Sequence, residues 1–269
     1  MTDAVPDPRA LESLLAFWRD GGVDACYGDA PVDHTHIKPT PALKAVARAT
    51  AAVAAPAAMD GGEAVAEARR LAAGAATLQD LAGAVAAFEG CPLRGMGATQ
   101  AVFGRGDPNA PVLVIGEGPG GEEDRAGQPF VGKAGQLLDR MLAAAGLTGK
   151  VFITNTVFWR PPGNRTPTPQ EQAVCAPFVE RVFAILKPRA VLLLGAAATK
   201  SILQTEEGIM RTRGQWREWR LNEGDVSAPV MPTLHPAFLL RQPLAKRQAW
   251  ADILSLAARL ETAEVEIKG

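Results

Sequence analysis

The chain has 269 residues, 47% of them hydrophobic, and a net charge of −1 at neutral pH. This composition supports one good core with an accessory segment and excludes disorder across the bulk of the sequence; no apolar run approaches the roughly 18 residues that span a bilayer. A near-zero charge excludes wholesale coating of nucleic acid while leaving room for a local basic face, and the start Met1–Pro6 lacks the basic and apolar regions of a signal peptide, so a cytoplasmic protein without membrane contact is expected.

In chain order, Leu11 to Trp18 reads as a short amphipathic helix, Asp29 to Pro41 as a polar loop, and 42–76 as an alanine-dense helical stretch broken at Gly61-Gly62. Together they predict an N-terminal helical extension over 1–76, with the main domain over 77–269. Thr77 can cap free amides and Asp80 places negative charge in the first turn of a helix expected to end near Gly90. A strand is predicted over Pro111 to Ile115, followed by a helix over Ala134 to Ala145 that Gly146 stops. A strand over Val151 to Phe158 precedes a helix opened by Thr168-Pro169-Gln170-Glu171, a capping box with proline in first position. Strand Ala190 to Leu194, helix Ala196 to Leu203, strand Val230 to Leu234 and helix Ala245 to Leu260 complete the pattern. Continuous apolar strands separated by helices predict an α/β fold: a three-layer α/β/α sandwich around a central four-stranded parallel sheet with right-handed crossovers. A ligand in such a sheet sits at the carboxyl ends of the strands, where Gly116, Asn155 and His235 lie.

The most informative run is Gly116-Glu117-Gly118-Pro119-Gly120-Gly121-Glu122-Glu123-Asp124, followed by Gly127-Gln128-Pro129-Phe130-Val131-Gly132. Its small residues let backbone amides approach a flat ligand, and Phe130 offers a π face for that ligand to lie on, which describes a nucleobase pocket. Two further blocks lie downstream: Ile153-Thr154-Asn155 leading to Arg160-Pro161-Pro162-Gly163-Asn164-Arg165-Thr166-Pro167, and Leu234-His235-Pro236-Ala237-Phe238-Leu239-Leu240-Arg241. These blocks, in this order, resemble the family 4 uracil-DNA glycosylases over roughly residues 85 to 258. No G-x-G-x-x-G run follows Ile115, which argues against a generic dinucleotide-binding module.

The resemblance implies a monofunctional enzyme that acts on uracil-containing DNA, single- or double-stranded, and releases uracil to leave an abasic site. It also implies a uracil-DNA glycosylase-like domain that works as a monomer. Excision requires the base to leave the stack, which costs a few kcal/mol and favours a weakly paired base. Phe130 would then stack on it. Asn155 can donate to O4 and accept from N3–H, a pattern that cytosine reverses, so the wrong base is refused by about 10⁴ or more. Glu123, beside Gly118 and Gly120, falls in the loop that by family resemblance crowds the C5 position and refuses thymine. His235 would aim an imidazole N–H at O2 as negative charge grows there, an oxyanion-hole role typically worth about 10² to 10³ in rate. Glu117 either orients water, stabilises the positive sugar, or anchors its loop through backbone amides. Two other readings are a catalytically weak uracil- or damage-binding protein and a broader glycosylase for deaminated bases.

Phosphate contacts are expected from Lys133, Arg160, Arg165, Arg241 and the run Arg211-Thr212-Arg213-Gly214-Gln215-Trp216-Arg217, in which Arg213 is the central basic residue. Leu239 or Leu240 could wedge into the stack as the base leaves. The cysteines depart from the family. A [4Fe-4S] cluster needs four thiolates. Only Cys91 and Cys175 match ligand positions here; Phe88 and Trp159 stand at the other two, and Cys26 is out of register. No cluster is expected, and the two rings are expected to pack where it would lie. Asp33-His34-Thr35-His36 reads as a polar loop, so neither a metal nor any other cofactor is expected.

Overall fold

The structure, a computed structural model, describes residues 61–222 and 225–268. The predicted Leu11 to Trp18 helix, the loop carrying His34 and His36, and Cys26 lie outside the described residues.

Within the alanine-dense stretch, α1 (Gly61–Gly74) buries Ala64, Ala68 and Ala72. The four-residue spacing puts these methyls on one face, and the thinness of that face lets a neighbouring helix approach closely. That neighbour is α5 (Pro169–Leu186), whose Arg181 Nε donates to the Ala75 carbonyl at 3.0 Å just beyond α1. Helix α2 (Leu78–Ala87) opens on the predicted Thr77 cap, with Asp80 also accepting from the Thr77 amide to complete a capping box, and α5 opens on the predicted Thr168–Glu171 box with Pro169 in its first turn.

The sheet contains β1 (Gly104–Gly106), β2 (Val112–Gly116), β3 (Val151–Asn155), β4 (Ala190–Leu194), β5 (Arg217–Arg220) and β6 (Ser227–Thr233). Their order is β1-β3-β2-β4-β6-β5. The four central strands are mutually parallel, as expected; β1 and β5 are antiparallel additions at the two edges. The expected central four-stranded parallel sheet is present, and the two edge strands extend it to six. The edge strands carry three and four residues, Gly-Arg-Gly and Arg-Glu-Trp-Arg, too short and too polar to show the apolar runs of the buried strands.

Alternation along each strand sorts the core into two layers. Leu113, Ile115, Val191 and Leu193 join α1, α2 and α5 on one face. Val112, Val114, Leu192 and Leu194 pack on the other against Leu138 and Leu142 of α4 (Lys133–Ala144) and Ile253 and Leu256 of α9 (Lys246–Lys268). The result is the three-layer α/β/α sandwich. The short elements α3 (Gly121–Ala126), α6 (Gly195–Leu203) and α8 (Pro236–Arg241) follow the carboxyl ends of β2, β4 and β6, and α7 (Ile209–Thr212) comes after α6. Chain order reverses between β2 and β4, which puts the crevice of the fold at the end of β2. Among the described residues, no helix is long and apolar enough to cross a membrane.

Candidate active site

At that end of the sheet lies a cavity of about 480 Å³. It gathers Glu117, Gly118, Glu123, Phe130, Asn155, Arg165, His235 and Arg241 from the predicted set. The cavity wall also includes Pro161, Asn164, Thr166, Pro167 and Phe238, which lie in the quoted blocks but carry no residue-type signal for base recognition.

Asn155 is the last residue of β3, paired in register with Gly116 at the end of β2. Its side chain is 1% exposed, and neither Oδ1 nor Nδ2 has a hydrogen-bond partner. An unpaired buried amide costs roughly 1–3 kcal/mol, so a folded chain keeps one only where something else completes it. Gly116 makes room: a Cβ there would stand 2.5 Å from Asn155 Oδ1 and 2.5 Å from Phe130 Cζ.

Phe130 holds a left-handed backbone with φ of 56°, an uncommon conformation for a bulky residue. Three devices fix it there. Glu123 Oε1 accepts from the amides of Val131 and Gly132 at 3.0 and 2.9 Å. Arg105 donates to the carbonyls of Pro129 and Phe130 at 2.8 and 3.2 Å. Gly135 passes so close that a Cβ would sit 1.7 Å from the Phe130 oxygen. Glycine inside the helical pattern of α4 was the one sequence signal available for that approach.

The other oxygen of Glu123 accepts from Gly120 N at 3.1 Å. Loop anchoring, which the sequence leaves open for Glu117, is thus performed by Glu123. Asp124 is also structural, buried and accepting from Thr99 N and Oγ1 at 2.8 and 2.9 Å. Among the described residues nothing hydrogen-bonds or pairs with the Glu117 carboxylate; only its backbone oxygen is engaged, by Thr156 Oγ1 at 2.6 Å.

His235 caps α8, its Nδ1 accepting from the Ala237 amide at 3.1 Å. An accepting Nδ1 carries no proton, so the neutral ring is protonated at Nε2. Burial, reinforced by the Arg241 charge and partly opposed by Glu123, pushes the imidazole pKa down from 6.5 to about 4. The ring is therefore neutral near pH 7, with Nε2–H available as a donor. Its centroid lies 5.7 Å from that of Phe130. Gly195, at φ of 88°, lets it fit: a Cβ there would come within 2.9 Å of the His235 Cβ.

The predicted DNA contacts divide. Arg241 and Lys133 are exposed. Arg160 packs over Gly121 and donates from Nε to Asn164 Oδ1 at 2.7 Å. Arg165 forms a two-pronged pair with the buried Glu171, at 2.9 and 2.6 Å, and is held against the cavity by it. Two assignments are corrected. Arg213 is folded onto Asp252, itself 2% exposed, and onto the Gln248 carbonyl at 2.8 Å, so it serves the interior. Leu239 is fully buried against Leu234 and Ala249 and cannot act as a wedge; Leu240 is 40% exposed.

Cys91 and Cys175 are buried free thiols with sulfurs 4.0 Å apart. Phe88 and Trp159 are each 2% exposed in the same core, centroids 6.3 Å apart, and Phe88 meets Phe178 edge-on at 5.2 Å. No group of three or more His, Cys, Asp or Glu side chains able to hold a metal occurs among the described residues. Two thiols beside two large rings do not fit a four-thiolate cluster.

Comparison with known proteins agrees with this geometry. Residues 103–254 match the uracil DNA glycosylase superfamily. The chain is 40% identical over 153 residues to a type-4 uracil-DNA glycosylase of Thermotoga maritima, covering 56% of this chain and 77% of the relative. It is 38% identical over 168 residues to one of Pyrobaculum aerophilum, covering 61% and 84%. A third, from Sulfurisphaera tokodaii, is 40% identical over 151 residues, covering 54% and 68%. A cavity that brings together the Asn155 amide at the end of β3, the Phe130 ring between α3 and α4 and the His235 imidazole beyond β6, inside a matched region that spans more than half the chain, places this protein in the uracil DNA glycosylase superfamily.

Proposed function

We propose that this protein hydrolyses the N-glycosidic bond of deoxyuridine in DNA, releasing uracil and leaving an abasic site for base excision repair. The observation that carries the reading is the Asn155 amide, buried and unpaired beside the Phe130 ring and the His235 imidazole. An extruded uracil lies on Phe130. Its O4 accepts from Asn155 Nδ2 and its N3–H donates to Oδ1, which pairs both orphaned atoms at once; cytosine offers the reverse pattern and leaves them unpaired. The loop anchored by Glu123 closes against C5 and leaves no space for the thymine methyl.

As the glycosidic bond lengthens, electrons move into the uracil ring and charge builds at O2, where the neutral His235 Nε2–H stabilises it. The sugar becomes cationic, and the unpaired Glu117 carboxylate supplies the opposite charge in the cavity. Water adds to C1′ and loses a proton, giving the abasic sugar, while the released uracil anion takes up a proton.

The reading includes the absence of an iron-sulfur cluster. Its support is the misfit described above: two buried thiols share their core with the rings of Phe88, Trp159 and Phe178, and no further cysteine lies among the described residues. No step of the mechanism runs through a metal. Protein purified anaerobically and without chelators should be colourless and iron-free by elemental analysis; a brown, iron-containing protein would overturn this part.

The decisive experiment is base release from oligonucleotides carrying uracil in a single strand, opposite guanine and opposite adenine. Release of free uracil with alkali-labile sites is expected. Tight binding without release would instead make the protein a uracil-binding module.

A further inference from the structure

We propose that Thr156 is a positioning residue that holds the Glu117 carboxylate where the cationic sugar needs it. The inference rests on the glycosylase reading above and extends it to how this one charge is aimed.

Glu117 is the first residue past β2, so its carbonyl lies beyond the ladder that pairs β2 with β3 as far as Gly116 and Asn155. Thr156, the first residue past β3, carries the pairing one step further. Its amide donates to the Gly116 oxygen at 2.9 Å, and its Oγ1 donates to the Glu117 oxygen at 2.6 Å. One residue thus holds two consecutive carbonyls, the second of them through a side chain. That side chain is buried, and β-branching restricts its χ1. One residue on, Gly118 lies so near Val157 that a Cβ would come within 2.9 Å of its Cγ2.

Glu117 lines the cavity, and among the described residues nothing pairs with its carboxylate. Without a partner of its own, that group takes its aim from the backbone that carries it. Thr156 is not part of the cavity wall, so it acts on the reaction through a neighbour rather than on the substrate. Thr154 supplies an internal comparison. It is likewise buried, and its Oγ1 also donates to a carbonyl at 2.6 Å, that of Phe103, which does not line the cavity. The two threonines make the same bond, one to a residue with a part in the reaction and one to a residue without.

The test is single-turnover uracil release by the full chain from a single-stranded oligonucleotide, read as the maximal rate and as the protein concentration that gives half of it. Thr156→Val exchanges the hydroxyl for a methyl at nearly constant volume. The maximal rate should fall about tenfold while the half-saturating concentration stays within about twofold, because the groups that read the base are unchanged. Thr156→Ser should recover most of the rate. Thr154→Val should lower the melting temperature by a similar amount and slow release by less than about twofold. In a Glu117→Gln background, adding Thr156→Val should slow release by less than about twofold, as for two groups that act as one unit. Should the valine variant fail to fold, Thr156→Ala and the serine rescue carry the same reading. An unchanged rate, equal slowing by T154V and T156V, a loss that persists undiminished in the Glu117→Gln background, or a change confined to the half-saturating concentration would overturn the positioning role alone. No release by the unaltered protein would overturn the glycosylase reading and the positioning role with it.

Discussion

Gly116 and Asn155 face each other at the ends of two parallel strands, and the amide of one occupies space that a side chain on the other would need. Gly116→Ala would force Asn155 or Phe130 aside, since the added carbon would stand 2.5 Å from an atom of each. A shift of about 1 Å at such a site costs about 10² in rate. The variant should remain folded by circular dichroism and release uracil about a hundredfold more slowly. Normal turnover would mean that the amide does not read the base.

Asn155→Ala separates stability from function. Both polar atoms of the amide are buried without partners in the free protein, so their removal relieves a desolvation cost of about 1–3 kcal/mol that offsets the lost packing. The melting temperature should hold or rise while uracil release falls by about 10² or more. A marked loss of stability would indicate a structural hydrogen bond in its place.

For His235, burial and Arg241 lower the imidazole pKa from 6.5 to about 4. The unfolded chain therefore binds the proton more readily than the folded one. The stabilising contribution is complete above about pH 6.5 and is lost as pH falls through about 4, amounting to at most about 3 kcal/mol. The neutral donor persists down to about pH 5, so this group predicts a flat rate above that value. His235→Ala should lower release by about 10² or more and remove this part of the acid slope in denaturant titrations. An unchanged rate would shift the O2 contact to another residue.

Arg213 and Arg241 offer a contrast between an interior and a cavity-lining arginine. Asp252 is 2% exposed and relies on Arg213 and on Thr233 Oγ1, the latter at 2.6 Å. Arg213→Ala should destabilise by about 3–5 kcal/mol and leave the salt dependence of DNA binding unchanged. Arg241→Ala should leave the melting temperature nearly unchanged and reduce the slope of log affinity against log salt by about one. The opposite pattern would reverse the two assignments.

These contrasts show where sequence reasoning reaches. The four parallel strands are legible because each is a continuous apolar run bounded by turns, and their ends locate Glu117, Asn155 and His235 without coordinates. The Thr77 cap and the Thr168–Glu171 box are legible because their chemistry spans only three residues. The Arg213–Asp252 pair is not, since 39 residues separate its members and a charged run reads equally well as surface. Leu239 and Leu240 are adjacent and identical in type, and only packing tells which one is buried. Glu123 lies in a run of three carboxylates whose different roles depend on which amides the folded loop brings near.

The distribution of the site over β2, β3 and β6 governs when activity can first exist. His235 follows β6, and β6 gains its place by pairing with β4, which itself pairs with β2. No early fragment holds the complete cavity: a chain still emerging from the ribosome presents Glu117 and Phe130 long before the imidazole that completes them. Base release during refolding should therefore return as a single late event, timed by the docking of the last parallel strand, while helical signal recovers earlier from the hydrogen bonds within single helices.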